Sequence, residues 1–186
     1  MQIIAFGYKK GSGKDTAGKF LSTYLKINAN HIKVKQISFA AKLKDVCHQL
    51  YKWAGLQPAI YYESHRDEKE VVLPKIGLSP REIWIQVGNK MREVYERTWI
   101  DFALQGVSAD ILIITDLRFP NEARAIVEYD GLLVKINRDG LPQGTDPAEV
   151  DLDDWENWDY VVANNGTLQD LNYWAETIAK DLIRNV

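Results

Sequence analysis

The segment Gly7-Tyr8-Lys9-Lys10-Gly11-Ser12-Gly13-Lys14-Asp15-Thr16 gathers the residue types that hold a phosphate group. Glycines let successive backbone amides turn toward an anion without Cβ clashes. A helix that opens at the end of such a turn adds the partial positive charge of its free N–H groups. Lys14 adds a full charge, on a stem long enough to reach the terminal phosphates of a polyphosphate. Two features depart from the spacing G-x-x-x-x-G-K-[ST]. The first glycine belongs at position 8, where Tyr8 stands, so the loop from Gly7 is one residue longer. Asp15 takes the place of the hydroxyl that binds Mg²⁺, and the hydroxyl follows one residue later as Thr16. Thr16 then reaches an α-phosphate, and a metal near Asp15 is held largely through water and the polyphosphate itself. Gly11, Ser12, Gly13, Lys14, Asp15 and Thr16 are the expected phosphate-binding residues. The plainer alternative is a Gly/Lys-rich surface turn before a helix.

A second set lies a hundred residues on. The apolar run Ile111–Ile114 ends in Thr115-Asp116, with Arg118 two residues later. A carboxylate at the end of a buried strand can orient Mg²⁺, the metal thus facing Asp15 and Asp116 through water. An arginine beside it can neutralise a phosphoryl group in transfer, an effect worth on the order of 10³–10⁵ in rate. Lys14, Arg118 and Asp116 are therefore the expected catalytic set. The alternative for Asp116 and Arg118 is an ordinary strand end with a surface ion pair.

The elements around these residues alternate. Ile3–Phe6 is a short apolar run that stops at Gly7 and reads as a buried strand. Thr16–Leu25 has helical spacing, Ile32–Phe39 reads as a second strand, and Ala40–Trp53 as a helix. Gly55–Gly77 is irregular and highly charged. Ser79-Pro80-Arg81-Glu82 carries a cap, a first-turn proline and the glutamate of a capping box, and predicts a helix to about Tyr95. Ile111–Ile114 is the clearest central strand; Asn121 and Glu122 open a short helix over Pro120–Val127; Leu132–Ile136 and Tyr160–Val162 read as further strands. Asp139–Asp154 is a polar loop, expected to be mobile, and Thr167–Asp170 can cap a closing helix that reaches Ile183. This order predicts an α/β fold in three layers, a parallel sheet flanked by helices, whose ligands sit at the carboxyl ends of the strands.

With both motifs in place, the chain resembles the phage-type deoxynucleoside monophosphate kinases, within the P-loop nucleotide kinases. The resemblance runs through Ser12–Thr16, Ser38-Phe39-Ala40 with Leu43-Lys44, Ser79-Pro80-Arg81, Gln86 and Gly88, and Trp99-Ile100. Asp116-Leu117-Arg118-Phe119-Pro120-Asn121-Glu122-Ala123 carries it most specifically, followed by Trp158-Asp159-Tyr160 and Asn164–Leu168. It implies a single P-loop NTPase-type kinase domain over 1–186, with a core of 1–53 and 108–186, an acceptor-binding helical region of about 54–107, and a lid of about 138–154. It implies ATP as donor with Mg²⁺, a deoxynucleoside monophosphate as acceptor, DNA-precursor supply, a host cytoplasm, and a homodimer.

Arg81 resembles the arginine of that family that holds the acceptor phosphate, in the first turn of a helix whose dipole also favours an anion. Phe39 and Trp99 can stack on a base and Gln86 can read its edge; Phe39 and Trp99 are equally natural as core residues. Lys42, with Lys44 and Arg92, offers further positive charge or a solvated helical face. Arg138, a further substrate-binding candidate, opens with Asp139 the loop that can act as a water-excluding lid, and its acidic run from Asp146 to Glu156 can equally be a solvated face.

The totals set bounds. At 186 residues, 46% of them apolar, the chain can bury one substantial core. A net charge of −3 disfavours nucleic-acid binding and a membrane surface, so cationic sites must be local. Cys47 is the only cysteine, which excludes an internal disulfide and suits a reducing compartment; in its amphipathic helix it reads as a small buried apolar residue. There is no 18-residue apolar run and no signal-peptide pattern. Two rivals remain: another small-molecule kinase of the phosphomevalonate or dephospho-coenzyme A kinase kind, and a non-catalytic nucleotide-binding module.

Overall fold

A computed structural model of the chain describes residues 1–142 and 147–184. The chain divides into two units, Met1–Ile37 with Gly106–Val186, and Ser38–Gln105. In chain order the elements are β1 (Gln2–Gly7), α1 (Lys14–Asn28), β2 (Val34–Ile37), α2 (Phe39–Tyr51), α3 (Tyr61–Ser64), α4 (Pro80–Val94), α5 (Thr98–Leu104), β3 (Ile111–Leu117), α6 (Pro120–Glu128), β4 (Leu132–Asn137), α7 (Pro147–Val150), β5 (Tyr160–Ala163) and α8 (Leu168–Arg184). Helix α2 thus belongs to the second unit, whereas the sequence reading carried the core to residue 53.

The first unit is built on a five-stranded parallel sheet of order β2-β3-β1-β4-β5. Strands covered on both faces read as continuous apolar runs, and Ile3–Gly7 and Ile111–Thr115 are buried throughout. Ile4, Phe6, Ile113, Val134 and Ile136 pack with Leu21 and Leu25 of α1 and with Leu171 and Ile178 of α8. Helix α6 packs on β1 and β4. The expected α/β layering of helices on a parallel sheet is what the chain adopts. Gly18 lets α1 approach β3 closely, since a Cβ there would stand 2.4 Å from the Thr115 methyl group.

The β1–β3 register contains one irregularity. Ala5 pairs with Ile114 but Gly7 pairs with Leu117, so Thr115 and Asp116 together face Phe6 alone. An extra residue in one strand of a ladder bends it and re-aims its side chains. The irregularity falls on the two β3 residues at the end of the apolar run.

In the second unit, Ser79 Oγ accepts from the Glu82 amide at 3.3 Å and the Glu82 carboxylate accepts from the Ser79 amide at 2.7 Å, with Pro80 in the first turn. The capping box read from the sequence is therefore formed. Leu43, Cys47, Leu56, Tyr62, Ile83, Trp84 and Trp99 make the core of this unit. Cys47 is fully enclosed, and burial pushes its thiol up to about 11, so it behaves as the expected apolar residue.

Four regions differ from expectation. The second strand ends at Ile37, because the Ser38 hydroxyl accepts from the Ala41 amide at 3.2 Å and starts α2 at Phe39. Gly55–Gly77 contains α3 and a 3₁₀ turn at Arg66–Glu70, and its Leu73 bridges to Leu78 just beyond it. Helix α5 has no counterpart in the sequence reading. Of the loop expected over Asp139–Asp154, residues 143–146, including the start of its acidic run, lie outside the described residues; Pro147–Val150 forms α7. Among the described residues no helix is long and apolar enough to cross a membrane.

Candidate active site

The carboxyl ends of the adjacent strands β3, β1 and β4 border a pocket of about 340 Å³. The loop after β1 contributes Lys10, Gly11 and Gly13, and the first turn of α1 contributes Lys14, Asp15 and Thr16. Thr115, Asp116 and Arg118 enter from β3, and Arg138 from the end of β4. The sequence thus foresaw the convergence of two motifs a hundred residues apart. Their meeting follows from β1 and β3 being neighbours in the sheet.

The loop between β1 and α1 passes through left-handed conformations at Tyr8, Gly11 and Gly13. Tyr8, which stands where standard spacing has glycine, takes a left-handed φ of 95°. Such a conformation is costly for a bulky residue and persists only where its surroundings impose it. Lys135 on β4 holds its ammonium 4.1 Å from the Tyr8 ring centroid, which retains the ring in place. Helix α1 has Gly13 as its N-cap and so no side-chain cap, and the amides of its first turn keep the hydrogen-bonding capacity that attracts an anion.

Lys14 is 94% enclosed, with an exposure of 6%, and its ammonium donates to the carbonyl oxygens of Tyr8 at 2.8 Å and Lys9 at 2.5 Å. Burial, and then the neighbouring Arg118 charge, push Lys14 down to about 8. An ammonium held at this cost gains most from an anion brought to it.

Arg118 is set by the turn it stands on. Glu122, nearly fully buried, accepts through Oε2 from the backbone amides of Arg118 at 2.8 Å and Phe119 at 3.2 Å, which fixes the strand-to-helix turn before α6. The guanidinium donates from Nη1 to the Glu149 carboxylate at 2.6 Å and to the Ala148 carbonyl at 3.1 Å. The other oxygen of Glu149 accepts from the Lys10 amide at 2.7 Å. Burial raises the Glu149 carboxyl, but the Lys10 amide, Arg118 and Lys14 outweigh it and hold the group below the usual carboxylate range. Lys9 reaches Asp153 at 2.8 Å, a second tie between the phosphate loop and this acidic segment. Glu149 was missed in the sequence, where it is one acid in a run of acids.

Of the residues expected to bind the acceptor, Arg138 lines the pocket of the first unit, and the others belong to the second unit. Arg81 stands in the first turn of α4 and pairs with Glu70. Gln86 and Lys42 are exposed on α4 and α2, Lys42 lying 5.6 Å from the Phe102 ring. Phe39 and Trp99 are 2% and 3% exposed, and the Trp99 indole donates to the Gly88 carbonyl at 3.1 Å. Neither ring has a face open to stack on a base; of the two roles weighed for them, the structure gives them packing.

For Mg²⁺, the pocket offers the oxygens of Asp15, Thr16 and Asp116. Among the described residues no group of three or more His, Cys, Asp or Glu could hold a metal by itself. That donor set suits an ion that arrives with a polyphosphate and takes only one or two carboxylates from the protein.

No family model matches the chain. A protein of Acanthamoeba polyphaga mimivirus named "Putative deoxynucleotide monophosphate kinase" is 29% identical over 91% of this chain and 92% of its own length. The deoxynucleoside-5'-monophosphate kinase of Escherichia phage T5 is 32% identical over 38% of this chain and 32% of its own length. A shikimate kinase from Acinetobacter baumannii superposes with a TM-score of 0.42 at 13% identity, over 100% of this chain and 94% of that one. The two sequence matches bear out the resemblance drawn from the motifs and, with it, the enzyme class, a kinase.

Proposed function

We propose that this relative of the deoxynucleoside monophosphate kinases transfers the γ-phosphoryl group of ATP to a deoxynucleoside monophosphate, yielding ADP and a deoxynucleoside diphosphate for DNA synthesis. The observation that carries the reading is the meeting of Lys14, Arg118 and the uncapped start of α1 around one pocket at the carboxyl ends of β1 and β3. The names of the two relatives support the choice of acceptor.

Phosphoryl transfer asks a protein for positioning and charge neutralisation more than for covalent chemistry. The loop amides and the first turn of α1 bind the β- and γ-phosphates. Lys14 leaves the Tyr8 and Lys9 carbonyls for these phosphates, a move favoured by the penalty its charge now bears. An oxygen of the acceptor phosphate, already ionised near neutral pH, forms the new bond to Pγ as the bond to the β-phosphate oxygen breaks. Arg118 neutralises the charge spread over the group in transfer. Asp116 and Asp15 would hold Mg²⁺ through water, with Thr16 beside the phosphates; that ion, when bound, would supply further neutralisation of the polyphosphate. Arg81, at the capped start of α4, binds the acceptor phosphate, aided by the dipole of that helix.

The test is a coupled assay of ADP release with ATP and Mg²⁺, offered dAMP, dGMP, dCMP, dTMP, their ribose counterparts and phosphomevalonate, beside a Lys14→Ala control. Turnover on deoxynucleotides that vanishes in the control is the expected result. A well-folded protein that turns over none of the nucleotides overturns the reading. Turnover on phosphomevalonate alone transfers the pocket to that substrate class.

A further inference from the structure

An asparagine side chain donates and accepts at once, so one residue can tie two chain segments together. Two adjacent asparagines, Asn164 and Asn165, follow β5. Strand β5 borders β4 and not β1. Even so, the Asn164 amide donates to the Ser12 carbonyl, in the phosphate loop after β1, at 2.8 Å. The Asn164 backbone amide donates to the carbonyl of Asn137, the residue before Arg138, at 2.7 Å. Asn165 makes a reciprocal pair with Asp139: it accepts from the Asp139 amide at 2.8 Å and donates to the Asp139 carboxylate at 2.7 Å. The loop after β1 and the turn that bears Arg138 are therefore fastened to one dipeptide.

The bond to Ser12 has a directional consequence. In a planar trans peptide the C=O of one residue and the N–H of the next point in opposite directions. Holding the Ser12 carbonyl toward Asn164 aims the Gly13 N–H away from Asn164. Gly13 lines the pocket, and Ser12 is fully buried, so this peptide unit stands between a fixed anchor and the pocket. Gly13 also has a φ of 105°, and a Cβ there would come 2.5 Å from the Asn164 amide nitrogen. Only glycine both adopts that conformation readily and leaves the anchor its room.

We propose that Asn164 is a positioning residue for the phosphate loop, setting the Ser12–Gly13 peptide so that its N–H is ready for a phosphate oxygen before the nucleotide arrives. The proposal rests on the reading that this pocket takes ATP, and its experiment separates the two. ADP affinity is measured by calorimetry for the wild type, Asn164→Ala and Asn164→Asp, together with KM for ATP, KM for the acceptor, kcat and thermal stability. Loss of one neutral hydrogen bond that presets an amide predicts a weakening of ADP and ATP binding by about three- to tenfold in Asn164→Ala. Acceptor KM stays within about twofold of the wild type. Asn164→Asp, nearly the same shape but without the donor, weakens binding at least as much. Should the alanine variant fail to fold, Asn164→Ser supplies the neutral test. A wild type that binds no ADP defeats the proposed function. A wild type that binds ADP, with unchanged affinity in the neutral variant or with loss in the aspartate variant alone, defeats the positioning role, since charge rather than anchoring would then be the cause.

Discussion

Glu149 and Arg118 form an ion pair at 2.6 Å in which the carboxylate spans two groups otherwise suited to a phosphate. One of its oxygens takes the Arg118 guanidinium and the other takes the Lys10 amide of the phosphate loop. A carboxylate with two oxygens on a backbone amide and an arginine has the contacts of a phosphate edge. Polyphosphate in the pocket would meet this negative charge, so Glu149 must leave Arg118 before the arginine can serve a phosphoryl group. Exposed pairs of this kind are worth up to about 1 kcal/mol, and this one is partly enclosed, with side-chain exposures of 27% and 17%. Glu149→Gln, which keeps the shape and removes the charge, should tighten ATP binding by about fivefold, as read from the Kd. A weaker Kd would mean that Glu149 belongs to the nucleotide-bound arrangement instead.

Lys14 gives the site a pH dependence whose sign can be worked out. Its folded-state pKa of about 8 lies below the ordinary lysine value of 10.5. Between those values the unfolded chain binds more protons than the folded one, so this residue's contribution makes the fold more stable as pH rises from about 8 to about 10.5. Below that window the full cost of burying the charge is present. Phosphates favour the ammonium, so nucleotide binding should take up a proton at pH 8.5 and weaken as pH rises further. Calorimetry of ADP binding in buffers of different ionisation enthalpy reads this uptake directly. The uptake should disappear in Lys14→Arg; uptake that persists there would assign it to another group.

Arg118 is held by its turn as well as by its partner. Glu122 fixes the backbone at Arg118 and Phe119, so the guanidinium can be removed without unmaking the strand end. Arg118→Ala should lower kcat by on the order of 10³ or more, with far smaller change in ATP KM. Arg118→Lys should recover little, because an ammonium cannot reproduce the planar fork of a guanidinium. An equal rise in KM with kcat unchanged would make Arg118 a ground-state binding residue only.

What the sequence disclosed, and what it hid, follows the range of the forces involved. The glycine-rich turn that opens α1 and the Ser79–Glu82 box are local patterns, decided within ten residues, and both were legible. So was Asp116, because the apolar run before it marks a buried strand. Helix α5 was not: Arg97 gives it no side-chain cap, and it has seven residues. Tyr8 read as a loop of altered length, and only the backbone reveals that tyrosine itself takes the left-handed conformation. Glu149 was least legible of all. It reaches Arg118 across 31 positions and Lys10 across 139. In the sequence it stands among acids that a solvated face would equally explain.

Arg81 is paired as Arg118 is, but more weakly. Its partner Glu70 lies in the same unit, with side-chain exposures of 41% and 59%. Solvent screens a pair this open, so it contributes little. An arginine-to-phosphate hydrogen bond, by contrast, is worth about 1.5–3 kcal/mol, or about 10- to 100-fold in affinity. Arg81→Ala should therefore raise the acceptor KM by at least tenfold, while the Kd for ATP stays within about twofold. Glu70→Gln should lower the acceptor KM by no more than about threefold, since little is gained by releasing an exposed pair. Ser79→Ala, which removes the cap of the same helix at a cost of about 1 kcal/mol, provides the comparison for a purely structural defect. It should lower the thermal midpoint and leave the acceptor KM nearly unchanged. If Arg81→Ala behaves as Ser79→Ala does, Arg81 shapes the helix start and the acceptor phosphate must be held by another cation.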